Sequence, residues 1–218
     1  MKIYKVSNSL RFFVFLAIIL AVSSIQSAAQ APAAPAKVVF TEKDREFALK
    51  YLNETKEDYN KQLGGLSDAQ LNFRSGEGRW TIAEIAEHIT VTEGALFGMI
   101  TNQVMKAEPP KCENVHRVGD TAIVLAITNR SQKFTAPEQI RPAARWKTRD
   151  ELLAAFDKAR ATTIDLMKNN KADLRNMFME NPFGMMDGVQ WFIFLAGHSD
   201  RHLAQVKEVK ADPNYPKK

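Results

Sequence analysis

The chain has 218 residues, 45% hydrophobic and 25% charged, which excludes a disordered or collagen-like protein and fits one globular domain. Its formal net charge of +5 comes from 30 basic and 25 acidic residues, but three of the basic residues lie within residues 1–31, and no basic cluster typical of nucleic-acid binding remains. Cys112 is the only cysteine, which excludes an intrachain disulfide.

The first predicted element is a secretory signal peptide over residues 1–31. Three basic residues accompany the apolar run Phe12–Val22, and mostly small residues follow up to Ala29-Gln30-Ala31, an A-x-A cleavage pattern. An uncleaved N-terminal anchor is the alternative, although this apolar run is short for a bilayer span. We expect an exported protein, periplasmic or secreted, with no stable membrane insertion after cleavage and an extended leader over residues 32–40.

The sequence from 41 to 212 is predicted to be a helical bundle. The first long helix begins at Thr41, where Asp44 stands at the third position of a near capping box, and it ends at Gly64-Gly65. Its apolar residues recur three and four apart, which predicts one inward face. That face consists of Phe47, Tyr51, Leu52, Thr55, Tyr59 and Leu63.

The second long helix begins at a capping box formed by Thr81 and Glu84, and Pro109-Pro110 closes the region. Its predicted apolar face consists of Ile85, Ile89, Leu96, Met99 and Ile100. A shorter helix is predicted over Asp120–Ser131, within the long connection to the next long helix. Two prolines after it favour extended backbone, because proline fixes φ and restricts the residue before it. They are Pro137 and Pro142.

The third long helix begins at another capping box, Thr148–Glu151. Its predicted inward residues are Leu152, Phe156, Ala159, Thr163, Leu166 and Met167. The last helix begins at Asp187 and Gln190 and stops before Pro213, leaving residues 213–218 as a tail. Its first half is apolar almost all round, which is typical of a helix enclosed by others. We therefore predict an all-α protein: a four-helix bundle with a short extra helix in its long crossover connection.

Three histidines lie on the inward faces of two of these helices. His198 and His202 are four residues apart and share one face of the last helix. His88 belongs to an inward face of the second helix that also contains Ile85, Thr92, Ala95 and Met99. Two imidazoles at this spacing can bind one ion with bonds of about 2.0–2.1 Å, and a third from a facing helix leaves a position open for water or substrate. The alternative is a set of hydrogen-bonded core histidines without metal.

Other polar residues each have two interpretations. Cys112 and His116 could form a second, weaker metal-binding pair in a loop, or remain an unpaired thiol and a loop histidine. Arg201 either steers an anionic substrate or packs against a surface carboxylate. Arg130, with its neighbour Asn129, either reaches the mouth of the bundle or only ends the short helix. Glu84 could orient the ring of His88, but its capping role already accounts for it.

The chain resembles the DinB-like metalloenzymes, which are four-helix bundles. The resemblance runs from about Phe40 to Pro216. In the first half it rests on Leu66-Ser67, Gln70-Leu71, Trp80-Thr81 and Glu87-His88-Ile89. In the second half it rests on Ala136-Pro137-Glu138, Arg141-Pro142, Gly197-His198-Ser199-Asp200-Arg201-His202, Gln205 and Val209. Each segment is common by itself, and their order and spacing together carry the resemblance.

The resemblance implies a metal site formed by one histidine of the second helix and two of the last, which match His88, His198 and His202. It also implies either thiol-dependent transferase or hydrolase-type chemistry on a small-molecule substrate, and it identifies no catalytic side chain. The cofactor we expect is one divalent ion, zinc or nickel, because neutral imidazole suits both. The alternative is a non-catalytic metal-binding bundle of the envelope or stress response. A homodimer is compatible with the sequence, whereas nucleic acid is not an expected partner.

Overall fold

The structure, a computed structural model, describes residues 38–108, 118–181 and 184–217. The helices in these residues are α1 (Glu42–Leu63), α2 (Asp68–Leu71), α3 (Ile82–Asn102), α4 (Asp120–Thr128), α5 (Arg149–Asn169) and α6 (Gly188–Lys210). Short 3₁₀ turns cover Val104–Lys106, Glu138–Ile140 and Leu174–Asn176. Two four-residue strands, β1 (Phe178–Asn181) and β2 (Gly184–Asp187), pair antiparallel. The predicted all-α bundle is confirmed, with the short extra helix α4 ending at Thr128 instead of Ser131.

The four long helices begin where the sequence predicts. At each start the N-cap side chain accepts a hydrogen bond from the third helical residue, whose own side chain accepts one from the N-cap backbone N–H. These reciprocal bonds satisfy two N–H groups that the helix leaves without partners. The four pairs are Thr41 and Asp44, Thr81 and Glu84, Thr148 and Glu151, and Asp187 and Gln190.

Two core clusters define the directions of the helices. The first half of α1 packs with the first half of α6, and the second halves of these helices also share a cluster, so α1 and α6 run parallel. By the same criterion α3 and α5 run opposite to both. Because α3 and α5 are parallel neighbours, the chain between them must return along the bundle. The connection 103–148 makes this return, and it carries α4 and the turn Glu138–Ile140.

Helix α6 lies at the centre, as its apolar first half predicts, and contacts α1, α3 and α4. Gly197 allows the close approach of α4, because a Cβ at this position would lie 2.4 Å from Cγ2 of Ile127. Any side chain here would push α4 away from α6. The glycine next to His198 therefore sets the spacing between α6 and the start of the connection that follows α4.

Two inward assignments were wrong, and the hairpin was missed. Phe47 is 43% exposed because the buried stripe of α1 passes through Ala48 instead. Ala95 is exposed beside the buried Leu96, so it does not share the inward face of His88. The β1–β2 hairpin leads directly into the capping residue of α6. Strands of four residues are too short to show an alternating pattern in the sequence.

The starts of three helices are joined by one arginine. Arg175 binds the carboxylates of Asp44, Asp120 and Asp187, which lie in the first turns of α1 and α4 and at the N-cap of α6. Each carboxylate also faces the positive end of its helix dipole. The cluster therefore fixes the end of the bundle opposite the histidines. In the described residues, none of the helices is both long and apolar enough to span a membrane. The predicted signal peptide lies outside the described residues.

Candidate metal centre

The three histidines on α3 and α6 come together in the half of the bundle where α3 begins. The ring centroid of His88 lies 5.0 Å from that of His198 and 4.6 Å from that of His202. The centroids of His198 and His202 are 4.6 Å apart. Each ring offers one nitrogen, and these three nitrogens lie within 4.8 Å of one another. The antiparallel arrangement of α3 and α6 places a residue of the second turn of α3 against the later turns of α6. The predicted helix phases therefore bring the predicted set together.

Hydrogen bonds orient two of the three rings. Nδ1 of His88 lies 2.8 Å from the carbonyl oxygen of Ile140, and Nδ1 of His202 lies 3.1 Å from Oε1 of Gln205. Both partners are oxygens that only accept, so each Nδ1 carries the proton and donates it. The Nε2 atom of each ring then keeps a lone pair. Metal-binding histidines commonly show this arrangement, in which the second ring nitrogen donates to an oxygen.

Burial keeps the cluster unprotonated. It lowers the pKa of His88, lowers that of His198 well below its ordinary value, and lowers that of His202 to about 3. The neighbouring rings add to the effect, because a proton on one imidazole repels a proton on the next. Three neutral imidazoles are therefore present together at neutral pH. Neutral imidazole is the form that binds metals.

The arrangement fits a divalent ion. Bonds of about 2.0–2.1 Å would require only small rotations from nitrogens that lie within 4.8 Å of one another. The donor set is three nitrogens, the type that zinc accepts in sites with one open position. Such an ion would be held by His88, His198 and His202. Ile140 and Gln205 would orient the rings of His88 and His202 by accepting hydrogen bonds from their Nδ1 atoms.

A cavity of about 470 Å³ opens beside the three histidines. Its volume lies in the range of small-molecule sites. One side is the indole of Trp80, whose centroid lies 5.0 Å from the ring of His88. The other side is the connection after α4, which contributes residues 132–137 and Ile140. The cavity therefore gives a ligand access to the cluster.

Glu87 and His88 fasten that connection to α3. Oε1 of Glu87 accepts hydrogen bonds from the backbone N–H groups of Ala143 and Arg145, and it pairs with the Arg145 guanidinium at 2.7 Å. Ala144 between them has φ of 54°, a left-handed conformation that is uncommon for a residue with a Cβ. Burial acts to raise the pKa of Glu87, but these donors hold it below its usual range. Glu87 is thus a structural anchor and not a free base.

Arg201 does not pack against a surface carboxylate, as one of its two interpretations had it. It is 8% exposed, and its guanidinium donates to the carbonyl oxygens of Ile127, Asn129 and Gln132. Arg201 lines the cavity, which is the position that the alternative role in substrate steering requires. Arg130 also reaches the cavity, and it pairs with Glu208 of α6.

Glu84 bonds to the backbone N–H of Thr81 and to Arg74, which confirms its capping role. The ring of His88 is oriented from behind by the carbonyl oxygen of Ile140 instead. The loop pair Cys112 and His116 lies outside the described residues.

A buried ion pair near the cluster was not predicted from the sequence. Arg160 of α5 and Glu93 of α3 are 0% and 2% exposed and bind through two hydrogen bonds of 2.9 and 2.8 Å. Arg160 also donates to Ser199, the neighbour of His198 in α6, at 2.8 Å. Arg160 also donates to the carbonyl oxygen of Leu52 in α1, so the pair joins all four long helices in the core. The sequence did contain a signal for this pair. Glu93 in α3 and Arg160 in α5 each stand at the three- and four-residue spacing of the buried residues of its helix.

Comparisons with known proteins agree with this geometry. A sequence profile of the DinB superfamily matches residues 51–206. The uncharacterized protein YuaE of Bacillus subtilis (strain 168) is 25% identical over 163 residues, which cover 74% of this chain and 96% of YuaE. Among solved structures, the chain is similar to YfiT from Bacillus subtilis, which is described as a probable metal-dependent hydrolase with an unusual four-helix bundle topology. The two align with a TM-score of 0.53 and 13% sequence identity, and the alignment covers 84% of this chain and 94% of YfiT. That likeness confirms the bundle fold, and since the profile spans more than half of the sequence, the chain belongs to the DinB superfamily.

Proposed function

We propose that the protein is a divalent-metal enzyme of the hydrolase type, with His88, His198 and His202 as the metal ligands. The observation that carries the proposal is the convergence of three neutral ring nitrogens within 4.8 Å at one wall of an open cavity. A structural metal site is closed by protein ligands, whereas three ligands beside a cavity leave room for water and substrate. The description of the similar YfiT as a probable metal-dependent hydrolase supports the same class of reaction.

The residues of the chain supply orientation and a shaped cavity. Ile140 and Gln205 fix the rings of His88 and His202 through Nδ1 and leave Nε2 of each to bind an ion. A bound divalent ion acts as a Lewis acid and lowers the pKa of a water or thiol that shares the site. Among the described residues that line the cavity there is no carboxylate, so a side-chain base of that type is not at hand. This favours chemistry in which the ion itself generates the nucleophile.

The thiol-dependent transferase is the second candidate, since a thiol could occupy the same open position. The predicted export of the chain disfavours it, because the usual thiol pools are cytoplasmic. We also propose that the mature protein functions outside the cytoplasm, a location supported by the n-region, apolar run and A-x-A pattern of residues 1–31. Water is then the abundant nucleophile.

Metal analysis followed by activity screening tests the proposal. We expect about one divalent ion per purified chain, zinc or nickel, because neutral imidazole suits both. His202→Ala should lower the metal affinity sharply, whereas His116→Ala, which removes the remaining histidine, should leave it unchanged. Hydrolysis of model esters and amides should stop on chelation and return with added zinc, while far-ultraviolet circular dichroism stays helical.

The other outcomes separate the alternatives. Turnover that requires an added thiol would identify the transferase. An ion that raises the melting temperature without supporting any reaction would identify a non-catalytic bundle protein. Equal metal content in the wild type and in the triple alanine variant of His88, His198 and His202 would refute the site.

A further inference from the structure

The cavity beside the histidines has an excess of positive charge. Among the described residues, four cationic side chains and no carboxylate line it: Arg79, Arg130, Lys133 and Arg201. Glu208 lies just outside and pairs with Arg130 at 2.8 Å and with Arg79 at 3.8 Å. One carboxylate against four cations leaves a formal excess of three positive charges. A divalent ion at the histidines would increase this excess.

Arg201 contributes the buried part of this charge. Its guanidinium is held by three backbone carbonyl oxygens and lies 5.5 Å from the centroid of the Phe134 ring. In the part of the chain that the structure describes, no carboxylate forms an ion pair with it. A buried cation without a counter-ion is unfavourable, and dipoles of carbonyl groups compensate it only in part. An anion in the cavity would supply the missing counter-charge.

Most of the remaining wall is apolar. The apolar lining residues are Trp80, Ile127, Phe134, Pro137, Ile140 and Phe194. Aromatic and aliphatic walls bind the body of a ligand through burial, and a few charged groups fix its orientation. A highly charged hydrophilic ligand would leave this wall without a partner. The combination of charge and apolar surface selects an amphipathic ligand of modest size.

A purely structural role does not account for all four cations. Arg130 and Arg201 fasten the connection to α6 through Glu208 and through backbone carbonyls. Arg79 and Lys133 are exposed, and the only ion pair in the described structure that involves either of them is the long one between Arg79 and Glu208. These two cations come from different segments of the cavity lining, before α3 and after α4. They lie where an incoming anion would meet them.

We propose that this cavity binds a small organic anion, with its anionic group near the cationic side chains and its apolar body against the aromatic wall. The inference rests on the proposed function in one respect: the anion is the substrate, or a product, of the same metal centre. The anionic group is a carboxylate or a phosphate, since both match arginine donors. The charge pattern favours an anionic ligand over a neutral or cationic one.

Isothermal titration with three matched probes tests the proposal. Phenylacetate and phenyl phosphate carry an anionic group on a phenyl ring, and phenylacetamide is the neutral counterpart. Each is titrated into the zinc-loaded and the chelated protein. We expect both anions, or one of them, to bind at least about tenfold more tightly than the amide, with affinity falling as salt rises. The tighter of the two identifies the anionic group.

Two double variants locate the binding. In Arg79→Gln/Lys133→Gln the anion should bind about fivefold more weakly, since two partly exposed charge interactions are lost. The control, Lys158→Gln/Lys168→Gln, removes the same charge from exposed positions of α5 that do not line the cavity. It should bind the anion as the wild type does. All four positions are exposed, so the variants should fold.

The results separate this proposal from that of the metal centre. Equal affinity for anion and amide, no binding of any probe, or equal loss in the two double variants would overturn the anion subsite. If the anion were bound by the metal ion alone, the two double variants would bind it equally well. If metal analysis shows no bound ion but the anion still binds through Arg79 and Lys133, the proposed function fails and the anion subsite stands.

Discussion

Protonation of the histidine cluster gives a quantitative test of its burial. In the folded protein the pKa values of His88, His198 and His202 are all lowered, whereas in the unfolded chain each returns to about 6.5. Above about pH 6.5 neither state binds these protons, and the cluster has no pH-dependent effect. Below it, the unfolded chain takes up protons that the folded chain does not. The free energy of unfolding of the metal-free protein must therefore fall as the pH falls through this range.

The size of the effect follows from the number of histidines. One unit below the unfolded pKa, each neutral histidine destabilises the fold by about 1.4 kcal/mol, and three give an upper limit of about 4 kcal/mol. That is a large part of the typical stability of a domain, about 5–15 kcal/mol. Lowered carboxylate pKa values, such as those of Asp44 and Glu87, act below about pH 4.5 and stay outside this window.

Urea unfolding of the chelated protein at about pH 7.5 and about pH 5.5 measures this difference directly. The control is the triple variant with glutamine at the positions of His88, His198 and His202, which should lose little stability between the two conditions. A loss below about 1 kcal/mol in the wild type, or an equal loss in the triple variant, would contradict the burial of neutral imidazoles. His116 is present in both proteins and cancels in the comparison.

Three further predictions concern packing and processing. Gly197→Ala places a Cβ 2.4 Å from a side-chain carbon of α4 and should lower the free energy of unfolding by about 1–3 kcal/mol in thermal unfolding. The control Gly94→Ala, where nothing lies within 4 Å of the added Cβ, should raise it by up to about 1 kcal/mol. Equal effects of the two substitutions would contradict the close packing at Gly197. Glu93→Gln leaves the buried charge of Arg160 without its partner and should lower stability by about 3–5 kcal/mol in urea unfolding, whereas a neutral effect would show that water reaches the pair. N-terminal sequencing of protein from the cell envelope should find a start within residues 30–32, and recovery of intact Met1 there would identify an anchor.

Local chemistry made the bundle predictable. Capping residues and apolar spacing are properties of a few neighbouring residues, and they located the starts of all four long helices. The phase of a helix follows from the same spacing, so the inward positions of His88, His198 and His202 could be inferred before their contacts were known. The resemblance to the DinB-like proteins supplied the pairing of α3 with α6.

Contacts between distant residues were not predictable in the same way. The bonds of Arg201 to three backbone carbonyls depend on the path of the connection after α4, which leaves no periodic trace in the sequence. The link from His88 to Ile140 spans 52 positions and depends on the same path. Phe47 was misplaced because a large apolar residue outweighed the neighbouring Ala48, although close helix packing favours the smaller side chain. Size and hydrophobicity alone do not determine which side of a helix is buried.

Residues 133–137 line much of the cavity yet contribute no histidine to the cluster. Arg201 anchors the chain before this stretch, and His88 and Glu87 anchor it after. Most of these anchors form hydrogen bonds with backbone atoms of the connection. Side chains of the residues between the anchors can therefore change without loss of these bonds. The stretch is therefore an interchangeable segment. Replacing its sequence, or altering its length, would diversify the molecules admitted to the cavity while the three imidazoles kept their places.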